Sequence, residues 1–413
     1  MRVKVFVLIA IIYFFFNSFG LPLGLTYLML LSPLFFLNTI QRYFKFYLFF
    51  GAMALFYFVA HSLSGIENSF EYFKSLTLHF IVAIIAVSFF DQLKRKPFQV
   101  AHTIEVLAIL NMIAMVFALF VIAVPVIGSK IWRISAFGGV KQLRILVYEP
   151  SYYALLLVPI FFYFYGLILS SKSVRNIFLF STVVLSFLLS RSLGVIAAIV
   201  LSIAIYYWDF SLLKKKKNLY IAVGFFGLGS IVLICLFVFF PEYVLVQRTL
   251  SFLKGEDISG LARVLDPWTL GAEILQQKNS FFGIGWGHIK ILGHEIISEH
   301  YNYGKSLNIR VTIPNASAEI FILLGYLGLL IKVFLEIYLY KKTKVKYSRF
   351  RSLIFWFIFV YQFTGSFSSN LAEYVLWILA FTKVEEFDFA VQRVLHLKFS
   401  LKNNTSQNQI EEG

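Results

Sequence analysis

Residues 106–129 carry no charged side chain, and neither do residues 150–171. A run of that length needs no water anywhere along it, and about 20 such residues cross a lipid bilayer as a helix. Several further runs of the same kind follow one another along the chain. Hydrophobic residues make up 59% and charged residues 14%, against roughly 45–50% and about 25% in soluble domains. Mean hydropathy is +0.79. Even a large soluble domain leaves much of its surface wet, and this chain has too little polar material to cover one. A secreted enzyme, a cytosolic enzyme and a disordered scaffold are excluded. The 49 Phe and 23 Tyr suit lipid contact and the membrane interface.

Scanning for apolar runs gives about twelve spans, at 5–20, 22–38, 45–62, 75–90, 103–127, 148–169, 176–190, 193–208, 219–240, 315–340, 351–367 and 370–382. Pro22 and Pro33 interrupt the first pair. Val5–Phe19 follows Arg2 and Lys4 as a signal peptide would. It lacks a small-residue cleavage site and is read as the first span. The fold class expected is an all-α polytopic membrane bundle over 1–382, with a tail over 383–413. The tail begins amphipathic (Phe387, Phe389, Val391) and ends in a polar, disordered run.

The net charge of +16 fits topology better than nucleic acid, because cytoplasmic loops of membrane proteins gather Lys and Arg. With the N-terminus inside, every short, strongly basic loop falls on one side, including Lys94 to Lys96, Lys214 to Lys217 and Lys341 to Arg351. N-in and C-in follow, with Lys332 left inside a span. One large outer loop, 241–314, is too long for a bare connector. Its segment Leu261–Gln276 has helical apolar spacing and is expected on the membrane surface. Two outer stretches are basic against the rule. Residues 128–147 hold Lys130, Arg133, Lys141 and Arg144, and the long loop holds Arg248, Lys254, Arg263, Lys278, Lys290, Lys305 and Arg310. For the four lysines of the long loop, translocation regardless of charge is explanation enough.

Cys235 is the single cysteine, so no internal disulfide or Cys-based metal site can form. No HExxH, DxD, Walker or Rossmann pattern is present. His288, His294 and His300 are spaced without any metal signature, and no metal or cofactor is expected. His79 is expected to be a hydrogen-bonding core residue. His102 and Glu105 are expected to pair with each other, and Glu319 and Glu373 suit interhelical salt bridges as well as function.

Four segments concentrate ionisable groups at the outer membrane face, where charge is costly and faces a cavity or a partner. The first is Arg144 to Ala154, in which Glu149 precedes Pro150 at a helix start. The second is the Ser190-Arg191-Ser192 turn. The third is Arg263…Trp268…Ala272, followed by Gly283-Ile284-Gly285. The fourth is Pro314-Asn315…Glu319, followed by Gly325 and Gly328, which allow close helix packing.

Taken in this order, from about Arg144 to Leu330, these segments resemble the O-antigen polymerase/ligase superfamily of membrane glycosyltransferases, the Wzy-type polymerases and the ligases. The resemblance implies a glycosyltransferase-C-like helical fold in a bacterial inner membrane. It implies an inverting, metal-independent enzyme joining undecaprenyl-diphosphate-linked glycans at the outer face, with surface polysaccharide as product. Donor, acceptor and membrane lipid would be its partners, with a chain-length regulator beside them and no nucleic acid. Ligases carry His before the residue matching Asn315, where this chain has Pro314, which favours a polymerase. A ligase and a lipid-linked oligosaccharide flippase stay open as alternatives. In that reading Arg191 and Arg263 meet the diphosphate, since guanidinium groups grip such oxygens bidentately and stabilise the charge of the leaving group. Glu149 is the candidate base for the acceptor hydroxyl, with Glu319 and His288 in reserve. Arg144, Arg248, Arg310, Asn315, Glu319 and His288 are candidate substrate contacts.

Overall fold

A computed structural model describes residues 2–16, 26–95, 98–134, 139–171, 173–208, 238–239, 242, 244–255, 258–302, 311–384 and 387. The protein is mainly helical. Among the described residues five helices are long and apolar enough to cross a membrane: α4 (Phe44–Leu63), α5 (Ser69–Arg95), α6 (Phe98–Phe120, continued by a 3-10 turn to Ala123), α8 (Pro150–Ser170) and α15 (Ala316–Lys342). Shorter apolar helices join them: α1 (Arg2–Ile11), α9 (Val174–Ser190), α10 (Leu193–Trp208) and α17 (Leu371–Phe381).

Several expected spans take another form. In place of 22–38 the described residues hold two short helices, α2 (Tyr27–Leu30) and α3 (Ser32–Thr39), the second opened by Pro33. The last pair is trimmed, because α16 (Arg349–Tyr361) ends at Tyr361 and residues 362–370 form a turn region. The expected span 219–240 lies outside the described residues except for 238 and 239, and so does the tail beyond 387. The expectation of an all-α chain also needs a correction. After α7 (Pro125–Ile131), β1 (Trp132–Ile134) and β2 (Lys141–Leu143) pair antiparallel, with Trp132 opposite Leu143. Trp132 and Leu143 are buried, so the hairpin is pinned by its apolar pair rather than by length.

Burial separates core helices from lipid-facing ones. In α8, 61% of the apolar window is buried, against 22% in α4, 28% in α5 and 33% in α6. Leu48, Phe49, Leu55 and Phe56 of α4 are exposed, a face that only lipid or another protein can cover. α8 is the centre of the larger core and packs on α6, α9, α10 and α16. A second core forms where Tyr57 of α4 and Tyr72 of α5 meet Leu270, Ile274, Trp286, Ile313 and Phe321.

The segment expected as one surface helix, Leu261–Gln276, is two: α12 (Ile258–Val264) and α13 (Asp266–Gln276). Pro267 supplies the reason, since its ring suits a first helical turn and not an interior. α11 (Val244–Leu253) precedes them and α14 (Ile289–His300) follows. Asp266 ties α13 to α14 by accepting from the Tyr301 hydroxyl at 2.8 Å.

α15 is broken. Gly325 has φ 69° and ψ −169° inside it. Ser317 donates its backbone N–H to the Gln362 carbonyl at 3.1 Å, while Glu336 accepts from the Gln362 side chain at 2.9 Å. In a straight helix residues 317 and 336 would stand about 28 Å apart. The chain therefore folds back at Gly325, and Ala316–Leu324 is a half-helix. The break strands backbone groups that lipid cannot satisfy. The 280–285 turn takes them: Ile284 and Gly285 donate to the Ile322 and Leu323 carbonyls at 2.9 and 3.0 Å, and Tyr326 and Leu327 donate to Ser280 and Phe281 at 3.1 Å each. Gly325 thus serves as a break and a backbone contact, rather than as the packing notch expected of it.

Candidate functional site

The first wall of the site is the hairpin and the loop into α8. Arg144 donates to the Tyr148 and Ser129 carbonyls, each at 3.1 Å. Its guanidinium closes its own loop, and burial together with neighbouring Arg133 holds its pKa below the usual value. Ile145 next to it has φ 51°, a costly conformation for a β-branched residue that the surrounding fold has to impose. Glu149 occupies the N-cap position of α8 with Pro150 behind it. Its carboxylate meets Arg133 at 3.3 Å and accepts from Ser151 at 3.3 Å.

The second wall is the α9–α10 turn. Arg191 ends α9 in the left-handed conformation, φ 53°. Three residues on, Gly194 faces the Tyr361 ring, which lies 4.0 Å from where a side chain on that glycine would begin. The third wall is α12. Arg263 sits in its last turn, and its carbonyl accepts from the Asn315 amide at 2.8 Å. The same Asn315 amide donates to the Phe363 carbonyl at 2.7 Å, which clasps the Arg263 segment to the residues just after Tyr361. Three of the four segments singled out in the sequence, those of Arg191, Arg263 and Asn315, therefore come together at the end of α16.

Asn315 belongs to the frame. It is fully buried. Its amide donates to Arg263 and Phe363, and its oxygen accepts from the Ala318 N–H at 2.9 Å as the cap of the half-helix. Glu319, half-buried one turn later, accepts from the Ser368 N–H at 2.6 Å. His288 lies elsewhere, among Tyr72 and Trp286 in the second core, and accepts from the Asn68 N–H at 3.3 Å. Burial and the nearby Lys278 ammonium push its imidazole towards the neutral form. Lys278 and Lys290 spend their charge on Glu67 at 3.0 Å and Glu71 at 3.5 Å. The Arg248 side chain and the whole of Arg310 lie outside the described residues.

The sequence reading missed a charged centre below Tyr361. Lys332 bonds Glu336 and Gln362 and lies 3.7 Å from Glu373. All but Lys332 are buried, and Glu373 Oε2 has no hydrogen-bond partner. Lys332 and Glu336 at helical i,i+4 spacing inside an apolar run were the available signal. His79 is a hydrogen-bonding residue as expected, with Nε2 3.0 Å from Ser368 Oγ. Glu105 does not pair with His102; Arg175 and the Tyr163 hydroxyl hold it, each at 3.2 Å. Among the described residues no group of three or more His, Cys, Asp or Glu is placed to hold a metal. Two apolar grooves among the described residues, about 600 Å³ between α6 and α9 and about 530 Å³ along α4, lie away from these charges. No family model, curated protein or solved structure matches the chain.

Proposed function

We propose that the chain is a bacterial inner-membrane glycosyltransferase that polymerises undecaprenyl-diphosphate-linked repeat units into surface polysaccharide at the outer face. About twelve spans, N-in and C-in, with residues 241–314 outside and a glycosyltransferase-C-like core, belong to the same reading. The observation that carries it is the approach of the Arg191 turn, the Arg263 segment and Asn315 at the end of α16, on which the helix that Glu149 opens also packs. Two half-buried arginines on neighbouring segments can hold a diphosphate and stabilise it as it leaves. Arg144 and Asn315 support the frame of that site. The broken helix at Gly325 favours one second reading, a lipid-linked oligosaccharide flippase, since transporters also build sites on interrupted helices.

Purified protein given lipid-linked repeat units in detergent, with no membrane to cross, separates the two. A ladder of extended products supports the polymerase, and unchanged single units refute it. In the same assay Arg191→Lys and Arg263→Lys should each lose about 2–3 kcal/mol of transition-state stabilisation, about 30- to 150-fold in rate. Lysine keeps the charge and loses the planar fork. Normal rates in both variants would remove the guanidinium groups from the mechanism. Orientation is checked separately in a Cys235→Ser background. Lys254→Cys should label from outside intact cells and Lys94→Cys should not; the reverse would invert the topology.

A further inference from the structure

The half-helix of α15 presents a carboxylate to the site in a way that Glu149 does not. Glu149 is engaged by Arg133 and Ser151. Glu319 stands one helical turn after Asn315, its N–H donating to the Asn315 carbonyl at 2.8 Å. Asn315 in turn is bonded to the Arg263 carbonyl, so the backbone fixes Glu319 relative to the Arg263 segment. Glu319 as a residue is half-buried.

Behind it stands a chain of polar groups. Ser368 donates its backbone N–H to Glu319 Oε2 at 2.6 Å, and the Tyr374 hydroxyl donates to the Ser368 carbonyl at 2.7 Å, holding the turn. Ser368 Oγ lies 3.0 Å from His79 Nε2, and His79 Nδ1 lies 2.8 Å from the Ser75 carbonyl. A carbonyl only accepts, so Nδ1 carries the hydrogen. In the neutral ring Nε2 then presents a lone pair, to which the Ser368 hydroxyl donates. Polar groups are costly at such depth, and a connected, oriented set of them marks a site. The charged neighbours acting on Glu319 are Lys290 from α14 and Glu373 from α17.

We propose that Glu319 is the base that takes the proton from the acceptor sugar hydroxyl, with Ser368 and His79 as positioning residues that hold its carboxylate. This rests on the polymerase reading. The acceptor O–H bond breaks and its proton moves to a Glu319 oxygen. The sugar oxygen bonds to the donor's anomeric carbon. The bond from that carbon to the diphosphate oxygen breaks, and its electron pair leaves with undecaprenyl diphosphate.

The test compares Glu319→Gln with wild type in the detergent assay. Glu319→Gln should lose about 10²–10⁴-fold in extension rate, with retained binding of lipid-linked repeat unit and unchanged melting temperature. Ser368→Ala keeps the backbone N–H and removes the hydroxyl, and His79→Gln removes the ring. Both should fold, lower kcat more than they raise KM, and displace the acidic limb of the pH–rate profile. If wild type makes polymer and Glu319→Gln makes it within tenfold of that rate, the assignment falls alone. If Glu319→Gln does not accumulate, an unmoved acidic limb in both Ser368→Ala and His79→Gln overturns it. If wild type makes no polymer, the polymerase reading falls and takes this assignment with it.

Discussion

Lys332→Met should cost about 3–5 kcal/mol of stability, the penalty for leaving buried charge without its partner. Lys332 is the cation shared by Glu336 and Glu373, which are 6% and 4% exposed. Its ammonium also lies 5.6 Å from the centre of the Trp377 ring. Methionine fills similar space and leaves two carboxylates facing each other in a low-dielectric interior. Gln362, bonded to both Lys332 and Glu336, would lose one of its anchors at the base of Tyr361. The measurement is the unfolding midpoint in detergent. A triple variant, Lys332→Met with Glu336→Leu and Glu373→Gln, should recover most of the loss, because an ion group replaced whole by apolar or neutral groups is often nearly neutral. An unchanged midpoint in the single variant would mean that the centre is open to water.

Gly325→Ala should prevent accumulation of folded protein. At φ 69° and ψ −169° a side chain alone costs about 1–3 kcal/mol. The added Cβ would also lie 2.3 Å from the Phe281 carbonyl oxygen and 2.6 Å from the Gly283 nitrogen. These are backbone atoms on a turn that caps both halves of the broken helix, so they cannot give way without releasing those caps. Gly51→Ala is the matched control. It lies in α4 with nothing within 4 Å of the added carbon, and alanine there should gain roughly 0.5–1 kcal/mol. Expression and melting temperature of the two variants should diverge. Equal behaviour would mean that α15 runs straight.

Much of this protein can be read directly from its residues. Charge-free runs such as 106–129 announce helices in lipid because hydropathy is local and additive: each residue contributes wherever its neighbours in space prove to be. Pro150 and Pro267 likewise mark helix starts by fixing their own backbone. The residues Glu149, Arg191 and Arg263 could be picked out singly, since each is an expensive group beside an apolar run. The approach of the Arg191 turn and the Arg263 segment at the end of α16 could not be read that way. It depends on which helices pack on α16, and packing is a property of surfaces brought together from distant parts of the chain. The same holds for Gly325, which as a glycine in an apolar helix looks like a packing notch. It becomes a break only because the 280–285 turn is there to satisfy the freed N–H and C=O groups. His288, one residue past a glycine cluster, looked available from its loop position, yet the second core encloses it. Asn315 looked like a ligand contact and is a clasp, because Arg263, Phe363 and Ala318 use its hydrogen-bonding groups. Composition and periodicity decided the membrane class and the main helices. Tertiary structure decided which polar groups are already satisfied by the protein itself and which are not, because satisfaction depends on partners far away in sequence.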